Sequence, residues 1–106
     1  MTKDAAYQGT APSEVGALIL HEADDVATAL RDLKAHEKVW VQGADLSFEI
    51  ELIENIPLCH KLALRPLFIG QSVKKYGETI GVITRAAPAG AHVHIQNLKS
   101  ARALLL

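Results

Sequence analysis

The stretch Lys38-Val-Trp-Val-Gln-Gly-Ala-Asp-Leu-Ser-Phe-Glu-Ile-Glu-Leu-Ile53 decides the fold class of this 106-residue chain. Its first residues, through Gln42, are β-prone. In the remainder, apolar and polar residues alternate: Phe48, Ile50 and Leu52 against Ser47, Glu49 and Glu51. Alternation of this kind is typical of a strand that buries one face. We therefore predict two strands, Lys38 to Gln42 and Leu46 to Ile53, joined through Gly43.

The segment before these strands is predicted to hold one more strand and a short helix. Ala17 to Leu20 is a compact apolar run that ends at an acidic turn, which indicates a first strand. From Val26 to Leu33 the apolar residues follow the i, i+3, i+4, i+7 spacing of an amphipathic helix. Asp24 or Asp25 could cap its N-terminus. We therefore expect a helix near residues 25–33 that packs on a sheet.

The segments after the strands predict a second half that is almost wholly β. His60 to Leu67 forms a further short strand that Pro66 stops. Glycines at 70, 77, 81 and 90 divide the next apolar residues into short strands with tight turns. We predict a mainly β domain over residues 16–98, a flexible leader over 1–15 and an apolar C-terminal tail over 99–106. No internal repeat is visible in the sequence.

Composition narrows the classes of function. Eleven basic residues against twelve acidic ones give a formal net charge of −1, so no long-range field attracts phosphate backbones or acidic lipids. We expect neither a nucleic acid nor a membrane partner. No apolar run approaches the roughly 20 residues that cross a bilayer, and the polar start Met1 to Asp4 does not resemble a signal peptide. A cytoplasmic location is the expectation, and the lone Cys59 suits a reducing compartment.

The segment Gly90-Ala-His-Val-His-Ile-Gln-Asn97 is the strongest candidate for a functional site. On a strand, His92, His94 and Gln96 would share one polar face. Val93 and Ile95 would then face the core. Two imidazoles on one face could bind a metal, move a proton or hydrogen-bond a carboxylate, although ordinary surface histidines are the alternative. A catalytic zinc site takes three protein ligands, so a further ligand would have to come from His60, an acidic residue or another chain.

The remaining candidates are weaker. Cys59 and His60 are adjacent, and adjacent residues of a regular strand face opposite ways, which argues against a thiolate activated by that imidazole. His21 and His36 are expected to be exposed to solvent. The chain lacks GxGxxG, Walker, GxSxG and paired CxxC motifs, so nucleotide-binding, α/β-hydrolase and zinc-ribbon functions have no support.

Three segments taken together resemble the small subunit, or N-terminal domain, of the altronate and galactarate dehydratases, a module also found in sulfolactate sulfo-lyase. They are Ile56-Pro-Leu-Cys-His-Lys-Leu-Ala-Leu64, Lys75-Tyr-Gly-Glu-Thr-Ile-Gly81 and Gly90-Ala-His-Val-His-Ile-Gln-Asn97. The resemblance runs from about Ala17 to Leu98. It implies a SAF-type β-clip fold of short bent strands and lyase chemistry on a hydroxylated carboxylic acid. It also implies a much larger catalytic subunit as partner.

What the resemblance implies for the site can be stated by residue. The expected site groups are His60, His92 and His94 for catalysis and Lys61, Gln96 and Asn97 for substrate binding. The substrate would be a sugar acid such as altronate, in an active site completed by the large subunit. Proton removal beside a carboxylate builds an enediolate that a cation stabilises. We therefore expect a divalent metal, iron or manganese, held mainly by the large subunit.

Two alternatives and two departures accompany this expectation. The chain could instead be the small subunit of a sulfolactate sulfo-lyase, or a SAF module that only binds or assembles; whether it forms a homo-oligomer is left open. Cys59 stands where the family usually has Gly, and Gln96 stands where a His is common. The second departure replaces a metal-competent ring with a neutral amide.

Overall fold

The computed structural model describes residues 14–104 of the chain. That range is mainly β, as the sequence predicts. The strands are β1 (Ala17–Leu18), β2 (Val26–Ala29), β3 (Lys38–Gly43), β4 (Leu46–Glu51), β5 (Lys61–Ala63), β6 (Ser72–Lys75), β7 (Glu78–Ile83), β8 (His92–Val93) and β9 (Leu98–Ser100), followed by the helix α1 (Ala101–Leu104).

The strands form two sheets. A six-stranded sheet has the order β4-β3-β1-β2-β5-β8, and a three-stranded sheet has the order β6-β7-β9. Strands β1 and β3 pair in parallel, and every other pair is antiparallel. The predicted hairpin is confirmed, because β3 and β4 pair from Lys38 opposite Glu51 to Gly43 opposite Leu46.

The structure reveals an internal repeat that the sequence did not show. The first copy, residues 33–63, and the second copy, residues 67–94, each run from a bridge residue through a turn into a hairpin. A second turn and a short strand follow in each. The hairpins are β3–β4 and β6–β7, and the closing strands are β5 and β8, which pair with each other. The domain is thus built from two similar halves.

Equivalent bridges tie each copy together. In the first copy the N–H groups of Leu33 and Ile56 donate to each other's carbonyls at 2.8 and 2.9 Å. In the second copy Leu67 and Ala87 do the same at 2.8 and 2.9 Å. Matching hydrogen bonds at matching positions show that the repeat is one of backbone structure, although few side chains match.

Each copy also supplies one hydrophobic core from the same positions. The first core contains Leu33, Val39, Leu52, Ile56 and Leu62, and the second contains their counterparts Leu67, Val73, Ile83, Ala87 and Val93. All ten side chains are at most 2 % exposed. Burying an aliphatic side chain contributes about 1.5–3 kcal/mol, so both cores are needed to hold a domain of this size together.

The predicted helix near residues 25–33 is wrong, because Val26–Ala29 is strand β2. This strand lies between the two cores: Val26 faces the second, and Ala27 and Ala29 face the first. Because both faces of this strand are buried, its apolar residues do not alternate with polar ones. Together with the buried Leu33 they match helical spacing by coincidence. Of the two residues expected to cap the helix, Asp25 accepts the backbone N–H of Lys74 and Asp24 accepts that of Gly77.

The C-terminal segment extends the small sheet. Strand β9 pairs with β7 and continues through Ser100, two residues past the boundary expected at 98. Helix α1 lies against β7 and β9. Most of the predicted leader, residues 1–13, and the last two leucines lie outside the described residues. Across the part that the structure describes, no helix is long and apolar enough to span a membrane.

Candidate functional site

Three imidazoles converge where the two copies meet. Nδ1 of His60 lies 2.8 Å from Nε2 of His92. The His94 ring stacks beside His60, with ring centroids 4.3 Å apart. One ring nitrogen from each of the three histidines lies within 4.8 Å of the others, and all three side chains are half-buried. The expected catalytic histidines are therefore brought together, two from the second copy and one from the first.

The backbone explains this convergence. His60 closes a four-residue turn in which its N–H donates to the carbonyl of Pro57 at 2.9 Å. Strand β5 follows at once and pairs with β8, placing Leu62 opposite His92. Cys59, at the third position of the turn, has a φ of 70°. This is the left-handed conformation that type II turns require and that favours glycine, so Cys59 adopts it at an energetic cost.

The prediction of one strand from Gly90 to Asn97 is wrong beyond Val93, where β8 ends. Asn97 is buried, and its Oδ1 accepts the N–H of His94 at 3.0 Å while its Nδ2 donates to the carbonyl of His92 at 2.9 Å. These bonds replace strand pairing and bend the chain into a turn. Ile95, expected in the core, is 83 % exposed at the tip. We therefore give Asn97 a positioning role, and its contact with substrate stays a prediction.

Gln96 orients the ring of His92. Its Nε2 lies 3.2 Å from Nδ1 of His92 and 3.4 Å from the carbonyl of the same residue, so one NH₂ group donates to both. Donation to Nδ1 places the proton of the neutral ring on Nε2, which donates to Nδ1 of His60. The assigned tautomers thus form one donor chain from Gln96 through His92 to His60.

The local electrostatics favour neutral rings. Burial lowers the pKa of His92, and the neighbouring charges of His60 and His94 lower it further; Glu54, whose carboxylate accepts the backbone N–H of His92, acts in the opposite direction. Burial and the His60 charge also lower the pKa of His94. Neutral imidazoles can accept a proton or bind a metal, and both roles require this protonation state.

A cleft of about 330 Å³ opens beside His94. The predicted substrate-binding residue Lys61 lines it, together with Lys75 and Ser100. Burial lowers the pKa of Lys61, and the nearby charge of Lys75 lowers it further. Lysines on short strands are usually solvated surface, and only the packing of β5 against the small sheet brings these two together.

The other titratable candidates lie outside the cluster. His21 and His36 are exposed, as predicted. Cys59 is exposed too. Glu54 was not predicted, and no motif marks it.

Comparison with known proteins bears on this geometry. Residues 15–101 match the family model described as the altronate/galactarate dehydratase SAF domain. The chain is 33 % identical over 88 residues to the (2R)-sulfolactate sulfo-lyase subunit alpha of Chromohalobacter salexigens, covering 79 % of this chain and 94 % of that protein. It is 42 % identical over 62 residues to the same subunit of Paracoccus pantotrophus, covering 58 % of this chain and 92 % of that protein.

A longer relative shares the same region. The chain is 33 % identical over 81 residues to the altronate dehydratase of Bacillus subtilis, covering 76 % of this chain but only 16 % of that enzyme. The chain thus spans nearly all of the sulfo-lyase alpha subunits but only about a sixth of the altronate dehydratase.

Proposed function

Since the chain belongs to the family of altronate/galactarate dehydratase SAF domains, we propose that it is the small subunit of a hydro-lyase that removes water from a sugar acid. The observation that carries the proposal is the convergence of His60, His92 and His94 beside an open cleft. Elimination needs a group that accepts the proton beside the carboxylate and a group that delivers a proton to the leaving hydroxyl.

The residues of this chain suit those tasks. His94 lines the cleft, and its lowered pKa favours the neutral ring that can take a proton from the substrate. The donor chain from Gln96 through His92 ends at Nε2 of His60, the protonated nitrogen of that ring, which can donate to a departing oxygen. The ammonium of Lys61 can hold the carboxylate. The substrate would therefore lie in the cleft with its reacting carbon toward His94.

The three imidazoles also fit a divalent metal. Two nitrogen ligands of one ion with bonds near 2.1 Å lie about 3 Å apart, and Nδ1 of His60 and Nε2 of His92 are 2.8 Å apart. Imidazole suits iron better than manganese. In an alternative arrangement His60, His92 and His94 would hold an iron ion, and they would then act as ligands and not as the proton-transfer groups described above; the sequence-based expectation was an iron or manganese ion held mainly by the large subunit. When bound, it would supply a Lewis acid for the negative charge that develops during elimination.

Exposure of the site supports a partner chain. The three histidines are only half-buried, and the exposed Ile95 stands at the rim of the same cleft. Elimination proceeds best where water is excluded, and this chain does not close the site by itself. We propose that a large lyase subunit covers the cleft. The sulfolactate sulfo-lyase relatives are named as alpha subunits, which agrees with a partnered enzyme.

A second candidate is the small subunit of a sulfolactate sulfo-lyase, which would expel sulfite in place of water. The pair of lysines in the cleft favours it, because a sulfonate needs additional cationic donors. The match also covers nearly the whole length of two sulfo-lyase alpha subunits, which agrees with this second candidate.

Reconstitution tests the proposal. The chain is co-expressed with a large lyase subunit of the same genome, purified with and without iron, and assayed with altronate, galactarate and sulfolactate. The chain alone and the large subunit alone serve as controls. We expect elimination only from the assembled pair.

Each result has a distinct meaning. Water loss from a sugar acid supports the hydro-lyase, and sulfite release from sulfolactate supports the second candidate. Full activity of the chain alone contradicts the need for a partner. An assembled but inactive pair would leave the chain a binding or assembly module.

A further inference from the structure

Two lysines approach the cleft from different copies of the repeat. Lys61 begins β5 in the first copy, and Lys75 ends β6 in the second. Both are half-buried and both line the cleft that His94 borders. The cleft therefore holds two cations beside one ring of the site.

No carboxylate neutralises these cations within residues 14–104. The ion pairs of that range use Arg31 and Arg65 as their cations, and neither lysine takes part in one. The rest of the cleft lining is apolar, apart from His94 and the hydroxyl of Ser100. Two like charges held close together in a half-buried cleft cost free energy that a bound anion would offset.

The number of cations sets the charge of the anion that fits. A substrate with one carboxylate can neutralise Lys61 and leaves Lys75 without a partner. A second anionic group on the same substrate would pair with Lys75 and accept a hydrogen bond from Ser100. A cleft of about 330 Å³ is at the small end of ligand pockets, which suits a short-chain acid.

We infer that Lys61 and Lys75 form an anion subsite that selects hydroxy acids with two anionic groups, one at the reacting end and one at the far end. The far group is a carboxylate or a sulfonate, and both would meet Lys75 in the same way. This inference rests on the proposed lyase function and narrows its substrate class from sugar acids in general to dianionic acids.

A charge-removing variant tests the subsite in the assembled enzyme. Lys75→Met keeps the length of the side chain and removes its charge, and Lys74→Met is the matched control at an exposed neighbouring position. The substrates are galactarate, with two carboxylates, sulfolactate, with a carboxylate and a sulfonate, and altronate, with one carboxylate. We expect Lys75→Met to lower kcat/KM for whichever dianionic acid is turned over by about tenfold or more, mainly through KM.

The same variant should leave kcat/KM for altronate within about twofold of wild type, and Lys74→Met should leave all values unchanged. An equal loss for monoanionic and dianionic acids, or no loss for either, overturns the inference. A wild-type enzyme that turns over altronate alone overturns it as well.

Binding to the full chain separates this inference from the proposed function. Malonate, a dianion, and acetate, a monoanion, are titrated into the wild-type chain and Lys75→Met while NMR shifts of His94 and Ser100 are followed. We expect malonate to bind wild type at least tenfold more tightly than Lys75→Met, with acetate unaffected. Selective malonate binding without lyase activity would sink the proposed function and keep the subsite. Equal malonate binding by both proteins removes the subsite.

Discussion

Asp24 links the segment between β1 and β2 to the β6–β7 turn. It is 1 % exposed and lies between β1 and β2. Its Oδ1 accepts the N–H of Gly77 at 2.8 Å, and its Oδ2 accepts the N–H of Leu20 at 3.2 Å. Burial alone would raise the pKa of Asp24, but these and other backbone hydrogen bonds outweigh it and hold the pKa below the ordinary 3.8. A buried carboxylate thus clamps the β6–β7 turn to the large sheet.

Asp24→Asn should destabilise the domain in a pH-dependent way. The amide offers one acceptor where the carboxylate offers two, so one backbone N–H loses its partner, and we expect the free energy of unfolding at pH 7 to fall by about 1–3 kcal/mol. Because the folded pKa is depressed, the wild-type advantage is complete above the unfolded value of 3.8 and is lost as the pH falls through the folded pKa. Urea unfolding at pH 7 and near pH 3 measures both effects.

The control for this prediction is Glu78→Gln, which removes one carboxylate charge at an exposed position of β7. It should change stability by less than about 0.5 kcal/mol. A gap between Asp24→Asn and wild type that stays the same from pH 7 to pH 3 would show that the carboxylate charge does not hold the clamp.

Single residues also show why the site was only partly predictable. The period of a strand identified His92 and His94, and the resemblance added His60, but no pattern placed the His60 ring against the other two. Gln96 looked like a lost metal ligand, whereas the structure uses its amide to orient His92. Asn97 was predicted only as a substrate ligand, and the structure shows that it also shapes the turn. Both roles depend on contacts that the spacing of residues does not encode.

At the scale of elements, prediction succeeded where a strand has one buried face. Strand β4 alternates because one side faces solvent, and its bounds were nearly right. The prediction from sequence failed at β2, which is buried on both faces, and at the end of β8, where Asn97 makes a local turn. The repeat escaped notice because its turns share a backbone conformation and not a residue type. Each copy has two of these turns, and the residue with the left-handed backbone conformation is His36 and Cys59 in the first copy and Gly70 and Gly90 in the second.

Two of these turns allow a matched prediction. Gly70 and Gly90 have φ values of 88° and 84°. An added Cβ would meet nothing within 4 Å at Gly70, but would lie 2.3 Å from the carbonyl oxygen of Glu51 at Gly90. We expect Gly70→Ala to cost about 1–2 kcal/mol from the left-handed conformation alone, and Gly90→Ala to cost clearly more because the backbone must also move.

Urea unfolding of both variants checks this difference. Cys59→Gly is the reciprocal change at an exposed, equivalent position and should not destabilise the domain, since it removes the same strain. Equal costs for Gly70→Ala and Gly90→Ala would mean that the closing turn of the second copy does not pack against β4 as described.

At the scale of the whole molecule, the repeat explains where the site lies. The closing strands of the two copies, β5 and β8, pair across the middle of the domain, and His60 and His92 flank that pairing. Lys61 and Lys75 likewise come from different copies. Two similar halves with different side chains thus create one asymmetric polar cleft at their seam. The half-exposed histidines leave one side of the site open, and this is where we propose that a partner chain binds.

The central claim is that this chain contributes working groups to a lyase active site, and turnover of the assembled enzyme carrying His94→Ala tests it most directly. The control is His21→Ala, which removes an exposed histidine that lies outside the cluster. With assembly verified for both variants, we expect kcat to fall by about 100-fold or more for His94→Ala, the usual cost of losing a general base. We expect His21→Ala to match wild type. Wild-type turnover by an assembled His94→Ala enzyme would contradict the claim.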